Sequence, residues 1–169
     1  SRDDRHYYPS FPCTSYDRME LQDIADLHAY MKTLPPSENV AGPHKLSFPF
    51  TVRRGIGLWK RLYLSDQPVL TIADAGDAVR RGQYLVEGPG HCGECHTPRN
   101  AIGGPDLSRW LAGASAPEGK GVVPNITGGE GGIDSWSAQD IAYALESGFT
   151  PDFDSLGGSM THVVQNMSH

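Results

Sequence analysis

Apolar side chains recur along this chain at helical spacing in three places. Leu21, Ile24, Leu27 (or its neighbour His28), Met31 and Leu34 follow one another by three or four residues. That spacing predicts a helix over 20–34, stopped by Pro35-Pro36. DAVRRGQYLVE, residues 77–87, puts Val79, Gly82 and Val86 on one face, with Asp77 as candidate N-cap. SAQDIAYALES, residues 137–147, carries a stripe of Ile141, Ala144 and Leu145. Ser137 and Asp140 form a candidate capping box there, and Gly148 supplies the stop. Residues 35–76 hold several prolines in mixed polarity and read as a connector. Inside it TVRRGIGLWKRLYL, residues 51–64, joins four basic residues to Trp59, Leu62 and Tyr63. It reads as a connector packing its aromatics onto the domain, with an interfacial or partner-docking segment as the alternative. Residues 97–134 are rich in Gly and Pro and read as irregular. No run alternates with the period of a strand.

Three helices in 169 residues leave long loops, which a compact domain tolerates when something inside orders them. With 20 Gly, 13 Pro and 38% hydrophobic residues, the chain reads as soluble and globular with a thin core of its own. A bound prosthetic group would help it reach a stable fold. The net charge of −6 gives no reason to expect nucleic acid. It suits a partner with a basic face, or serves solubility alone. No apolar run reaches the ~18 residues of a membrane-spanning helix. Ser1 opens no signal peptide, so the chain is either not exported or has lost its leader. Three cysteines make no disulfide framework. Cys13 reads as a buried small side chain, or as a cross-link between chains in an oxidising compartment.

The remaining two cysteines lie in GPGHCGECHTPRN, residues 88–100. Cys92-Gly-Glu-Cys95-His96 fits attachment of haem c: each thiol adds across a vinyl group, and the adjacent histidine projects under the iron. A structural zinc site needs about four ligands, and His91, His162 and Cys13 supply no paired spacing. A thioredoxin-type pair wants a preceding strand, and here a helix precedes. The haem reading is therefore preferred, with a zinc-stabilised binding module as the alternative. Cytochromes c often complete the iron with methionine. Met160, in DSLGGSMTHVV after Gly157-Gly158, is the preferred distal ligand over Met167, His162, Met19 and Met31. With both axial positions filled, one-electron transfer is the remaining chemistry. A haem enzyme such as a peroxidase would need an open position.

RGQYLVEGPGHCGECHTPRNAIGG and VPNITGGEGGIDSWSAQDIAYALESGFTP, followed by GGSM, resemble class I cytochrome c domains of bacterial multi-haem cytochrome c proteins. Cytochrome subunits of periplasmic dehydrogenases belong among these. The resemblance covers roughly residues 77–169. It implies an all-α class I cytochrome c fold, with helices and long loops wrapped around one covalent haem c. It implies thioethers at Cys92 and Cys95, iron ligands His96 and Met160, and Pro105 in GGPDL as the carbonyl that orients His96. Arg99, Asn125 and Trp136 become candidates to hydrogen-bond the haem propionates, each with a plainer reading as surface charge, turn residue or core. The resemblance also implies a periplasmic electron carrier whose partners are a dehydrogenase, another cytochrome domain or a terminal oxidase, with peripheral membrane association as an option. Residues 1–45 resemble the end of a preceding haem domain, with Met19 in the distal-ligand position and no C-x-x-C-H before it. Residues 46–76 would then connect, and 77–169 form a cytochrome c domain whose final helix is expected beyond His169. The 20–34 helix is expected to lie near Tyr84, on the face that final helix would cover.

Overall fold

The computed structural model of the chain describes residues 6–8, 10–40, 42, 44–46, 48, 51–116 and 119–167, and these are mostly helical with little sheet. Two units divide between Pro124 and Asn125. The first contains α1 (Cys13–Tyr16), α2 (Leu21–Met31), α3 (Arg53–Tyr63), α4 (Asp77–Glu87), α5 (Gly93–His96) and a 3-10 turn at Leu107–Arg109. It also holds a short antiparallel ladder, β1 (Ala114–Ser115) with β2 (Val122–Val123), which pairs Ala114 with Val123. The second contains α6 (Ala138–Ser147) and α7 (Ser159–Gln165).

α4 spans the residues that the apolar spacing predicts, but its N-cap is Gly76, and Asp77 is its first residue. An acid there still meets the positive end of the helix dipole. α2 begins beside α4, where Asp23 accepts from the Tyr84 hydroxyl and that hydroxyl accepts from Glu20 N at 3.2 Å. The expected neighbourhood of Tyr84 is therefore observed. The expected apolar cover is not, because α2 buries no residue, and Leu21, Leu27 and Met31 remain exposed.

α3 is the element absent from the sequence expectation, which had a connector there. Ile56 and Trp59 are buried, and the Trp59 indole donates to the Ile102 carbonyl at 3.0 Å. The Tyr63 ring lies 4.9 Å from that of Trp59, and its hydroxyl accepts from Asn100 Nδ2 at 2.8 Å. Positions 56, 59 and 63 share one helical face, so a single stripe fastens α3 to the loop that follows His96.

In the second unit, α6 has the capping box read from its sequence. Ser137 Oγ accepts from Asp140 N at 3.1 Å, and the Asp140 carboxylate accepts from Ser137 N at 2.8 Å. Hydrogen bonds from the Ser137 hydroxyl and then its N–H hold the Asp140 carboxyl below its ordinary value. A lowered folded value means the cap is intact above the ordinary carboxylate range and is lost as pH falls through Asp140's own value. Gly148 ends α6 at φ 78°, a left-handed conformation that costs any residue with a Cβ. Ser137→Ala is expected to lower stability by about 1 kcal/mol, read from the urea midpoint. α7 packs on α6 and buries Val164.

The buried apolar side chains among the described residues are few: Ile56, Trp59, Ala75, Ala144 and Val164. Many large ones stay exposed, among them Leu85, Ile102, Leu107 and Phe149. The thin core expected from composition is thus observed.

Candidate functional site

α4 delivers the chain to the cysteine pair through a tight turn. Gly90 N donates to Leu85 O at 2.8 Å, His91 N to Gly88 O at 3.0 Å and Cys92 N to Val86 O at 3.2 Å. His91 takes the left-handed conformation at φ 40°, sparsely used by residues other than Gly, with the Tyr16 ring edge-on 5.8 Å away. The turn ends in α5, whose last residue is His96.

Several contacts fix this single helical turn from the protein side. The Trp110 ring lies against Gly93 where a Cβ would otherwise stand. Thr97, 1% exposed, accepts from Leu111 N at 3.0 Å, and Gly113 N donates to His96 O at 2.7 Å. Glu94 accepts from the hydroxyls of Thr14 and Ser15 and from the Arg99 guanidinium. The backbone carrying the two thiols is therefore tied down on four sides.

Cys92 and Cys95 are both free thiols, with Cys95 exposed. Burial pushes the Cys92 thiol up from its ordinary value, which keeps it protonated at neutral pH. His96 Nδ1 lies 2.8 Å from the carbonyl oxygen of Pro124. A carbonyl can only accept, so Nδ1 is the donor, and the tautomer this bond selects in the neutral ring has its lone pair on Nε2. Nε2 has no hydrogen-bond partner among the described residues. Pro105, the expected orienter, instead pairs through its backbone with Arg99 in an isolated bridge. Both prolines follow His96, and the chain's path brings Pro124 to the imidazole. The PNIT stretch that opens with Pro124 was a visible signal for it.

The other expected residues are placed as follows. Arg99 donates to the Gly103 carbonyl at 2.7 Å and to Glu94, so its donors brace the cysteine turn. Asn125 closes a turn, accepting from Thr127 N at 2.9 Å and donating to Glu130 O at 3.3 Å. Trp136 is half-buried before α6, and its indole N–H has no acceptor among the described residues. Met160 is half-buried on the first turn of α7, not in a loop. Gly158, at φ 58°, starts that helix. Met19 lies beside Gly88 at the end of α4.

This donor set fits haem c. It offers two unpaired thiols three residues apart on a fixed turn and an adjacent imidazole with one nitrogen held and the other free. Among the described residues no group of three or more His, Cys, Asp or Glu converges as a zinc site needs. Fold and site together describe a mostly helical domain whose cysteine turn is suited to haem attachment.

Comparison with known proteins gives the particular kind. The chain is 56% identical over 163 residues, 96% of its length, to a diheme cytochrome c-type protein of Cereibacter sphaeroides. It is 38% identical over 170 residues to the fructose dehydrogenase cytochrome subunit of Gluconobacter japonicus. It is 36% identical over 178 residues to the alcohol dehydrogenase (quinone) cytochrome c subunit of Gluconacetobacter polyoxogenes. No protein-family model matches it. The chain spans 54% of the diheme relative and 35% and 36% of the two dehydrogenase subunits. It belongs to the cytochrome c domains of bacterial multi-haem cytochrome c proteins.

Proposed function

We propose that this chain transfers single electrons through one covalently attached haem c, as part of an extracytoplasmic cytochrome that serves a dehydrogenase. The observation that carries the proposal is His96, with Nδ1–H committed to Pro124 and Nε2 without a partner among the described residues, beside two free thiols. Cys92 and Cys95 hold the porphyrin through thioether bonds, and His96 Nε2 binds the iron. Met160, on α7 just after its N-cap Gly158, would be the iron's other protein ligand. The Trp136 indole, whose N–H has no acceptor among the described residues, and Asn125 would serve the propionates, while Arg99 braces the turn through Glu94.

The bound group would supply a one-electron iron couple. The chain's part is to hold the imidazole rigid and keep its Nδ1 proton on a carbonyl, which raises the basicity of Nε2 toward iron. Thioether ligation on the other side favours the ferrous state and a relatively high potential. No described helix is long and apolar enough to cross a membrane. Partners are a dehydrogenase subunit, another cytochrome domain or a terminal oxidase, as the relatives' names support for the first. The diheme relative's name and the single C-x-x-C-H of this chain support residues 1–45 as the end of a preceding haem domain, while 46–76 contain α3 and are packed onto the domain instead of merely connecting. The setting is periplasmic.

The test is the visible spectrum of the purified protein. A Soret band that survives acid–acetone extraction supports the proposal, and a colourless protein overturns it. For the distal ligand, Met160→Ala is expected to abolish the methionine-to-iron charge-transfer band of the ferric form and to lower the reduction potential. An unchanged band after that substitution would remove Met160 from the iron.

A further inference from the structure

α3 has an outward chemistry that the haem site does not use. Between Asn39 and Ser65 the chain has five Lys and Arg and no Asp or Glu. The other nine Lys and Arg face all twenty acids, so the rest of the chain carries a formal −11. The stretch that carries α3 is thus basic and free of acids, in a chain that is acidic as a whole.

The geometry of α3 sorts these residues. Ile56, Trp59 and Tyr63 point inward and hold the helix to Asn100 and Ile102. The opposite face carries Arg54, Leu58, Arg61 and Leu62, at spacings of four, three and one. Leu58 is 65% exposed and Leu62 is 62% exposed. Among the described residues Arg54 and Arg61 take part in no ion pair. Phe48 and Val52, just before the helix, are exposed as well. Aliphatic side chains beside unpaired arginines, on a convex helix fixed from behind, match an interface that is apolar below and anionic at its rim.

We propose that the outer face of α3 seats on anionic lipid headgroups, with Leu58 and Leu62 entering the acyl boundary and Arg54 and Arg61 meeting phosphates. The stretch from Asn39 to Ser65 holds no acid that would oppose this approach. A shaped acidic protein surface is the competing occupant. The convex face favours a deformable one.

The experiment measures co-sedimentation of the full-length, haem-loaded protein with phosphatidylcholine vesicles, with and without about a third phosphatidylglycerol. Binding is expected to the phosphatidylglycerol vesicles and to weaken steeply with salt. Arg54→Gln with Arg61→Gln is expected to reduce it about thirtyfold, at roughly fivefold per arginine. Leu58→Ser with Leu62→Ser should also reduce it, under the same salt. Arg80→Gln with Arg109→Gln makes an equal charge change elsewhere and is expected to leave binding intact. All three variants alter exposed positions, and helix content by circular dichroism checks their fold. Equal loss in the Arg80/Arg109 variant, no preference for phosphatidylglycerol, or no binding at all overturns the proposal. The last outcome turns the face over to a protein partner. Vesicle binding is read independently of the haem spectrum, so failure here leaves the electron-transfer reading standing.

Discussion

Protein carrying both Cys92→Ala and Cys95→Ala is expected to lose all acid-stable haem, with an intact mass lower by one porphyrin for this domain. Thioether bonds form only where a thiol stands beside a vinyl group, and within the turn from Gly88 to His96 the thiols are those of Cys92 and Cys95. A single replacement leaves one thioether and is expected to leave haem attached at reduced yield. His96→Ala is expected to act differently: both thioethers form, but the iron loses its proximal nitrogen. The spectrum should become that of a high-spin or water-ligated haem while the mass keeps the porphyrin. A zinc site would lose metal alike on replacement of any of the three residues, since every ligand counts toward metal retention. Acid–acetone extraction, intact mass and the ferric spectrum of the three variants separate these cases. Retention of covalent haem by the double alanine variant would end the attachment model.

Trp59→Ala is expected to produce the largest loss of stability outside the haem ligands, about 4 kcal/mol. The indole is among the few large apolar groups this chain buries, and it also donates to the Ile102 carbonyl. Against a typical domain stability of about 5–15 kcal/mol, that loss is a large fraction. Trp59→Phe keeps most of the volume and removes the donor, and should cost about 1 kcal/mol. Urea midpoints of the haem-loaded proteins read both values. Because Trp59 and Tyr63 together fasten residues 100–104, amide exchange in that loop should rise in the alanine variant and change little in the phenylalanine one. Equal midpoints for wild type and Trp59→Ala would mean that α3 does not support the domain.

Part of this fold is legible in the residues because local chemistry decides it. α4 keeps the bounds its apolar spacing predicts, and α6 keeps its Ser137–Asp140 box and its Gly148 stop, since caps and left-handed glycines act within a few residues. α3 escapes for a physical reason. Gly55 and Gly57 weaken its helix propensity, and outward Leu58 and Leu62 blur the stripe of Ile56, Trp59 and Tyr63. Only the surface of the 99–104 loop reveals which side is apolar by need. The choice between Pro105 and Pro124 is likewise tertiary. Either carbonyl is in reach by sequence distance, and the path through the Ala114–Val123 ladder settles it. The cysteine pair and its histidine are legible as one unit, because the C-x-x-C-H spacing is local and a single turn, α5 with Cys92 as its N-cap, carries all three.

The acceptor facing His96 belongs to the main chain. No single codon change can delete an amide oxygen, so the ring's polarity is insulated from mutation in a way that an aspartate partner would not be. Substitution at 124 could shift that oxygen only by bending the backbone itself. Variation in this lineage is thus free to retune charges and apolar groups around the ring while the imidazole keeps facing the same way.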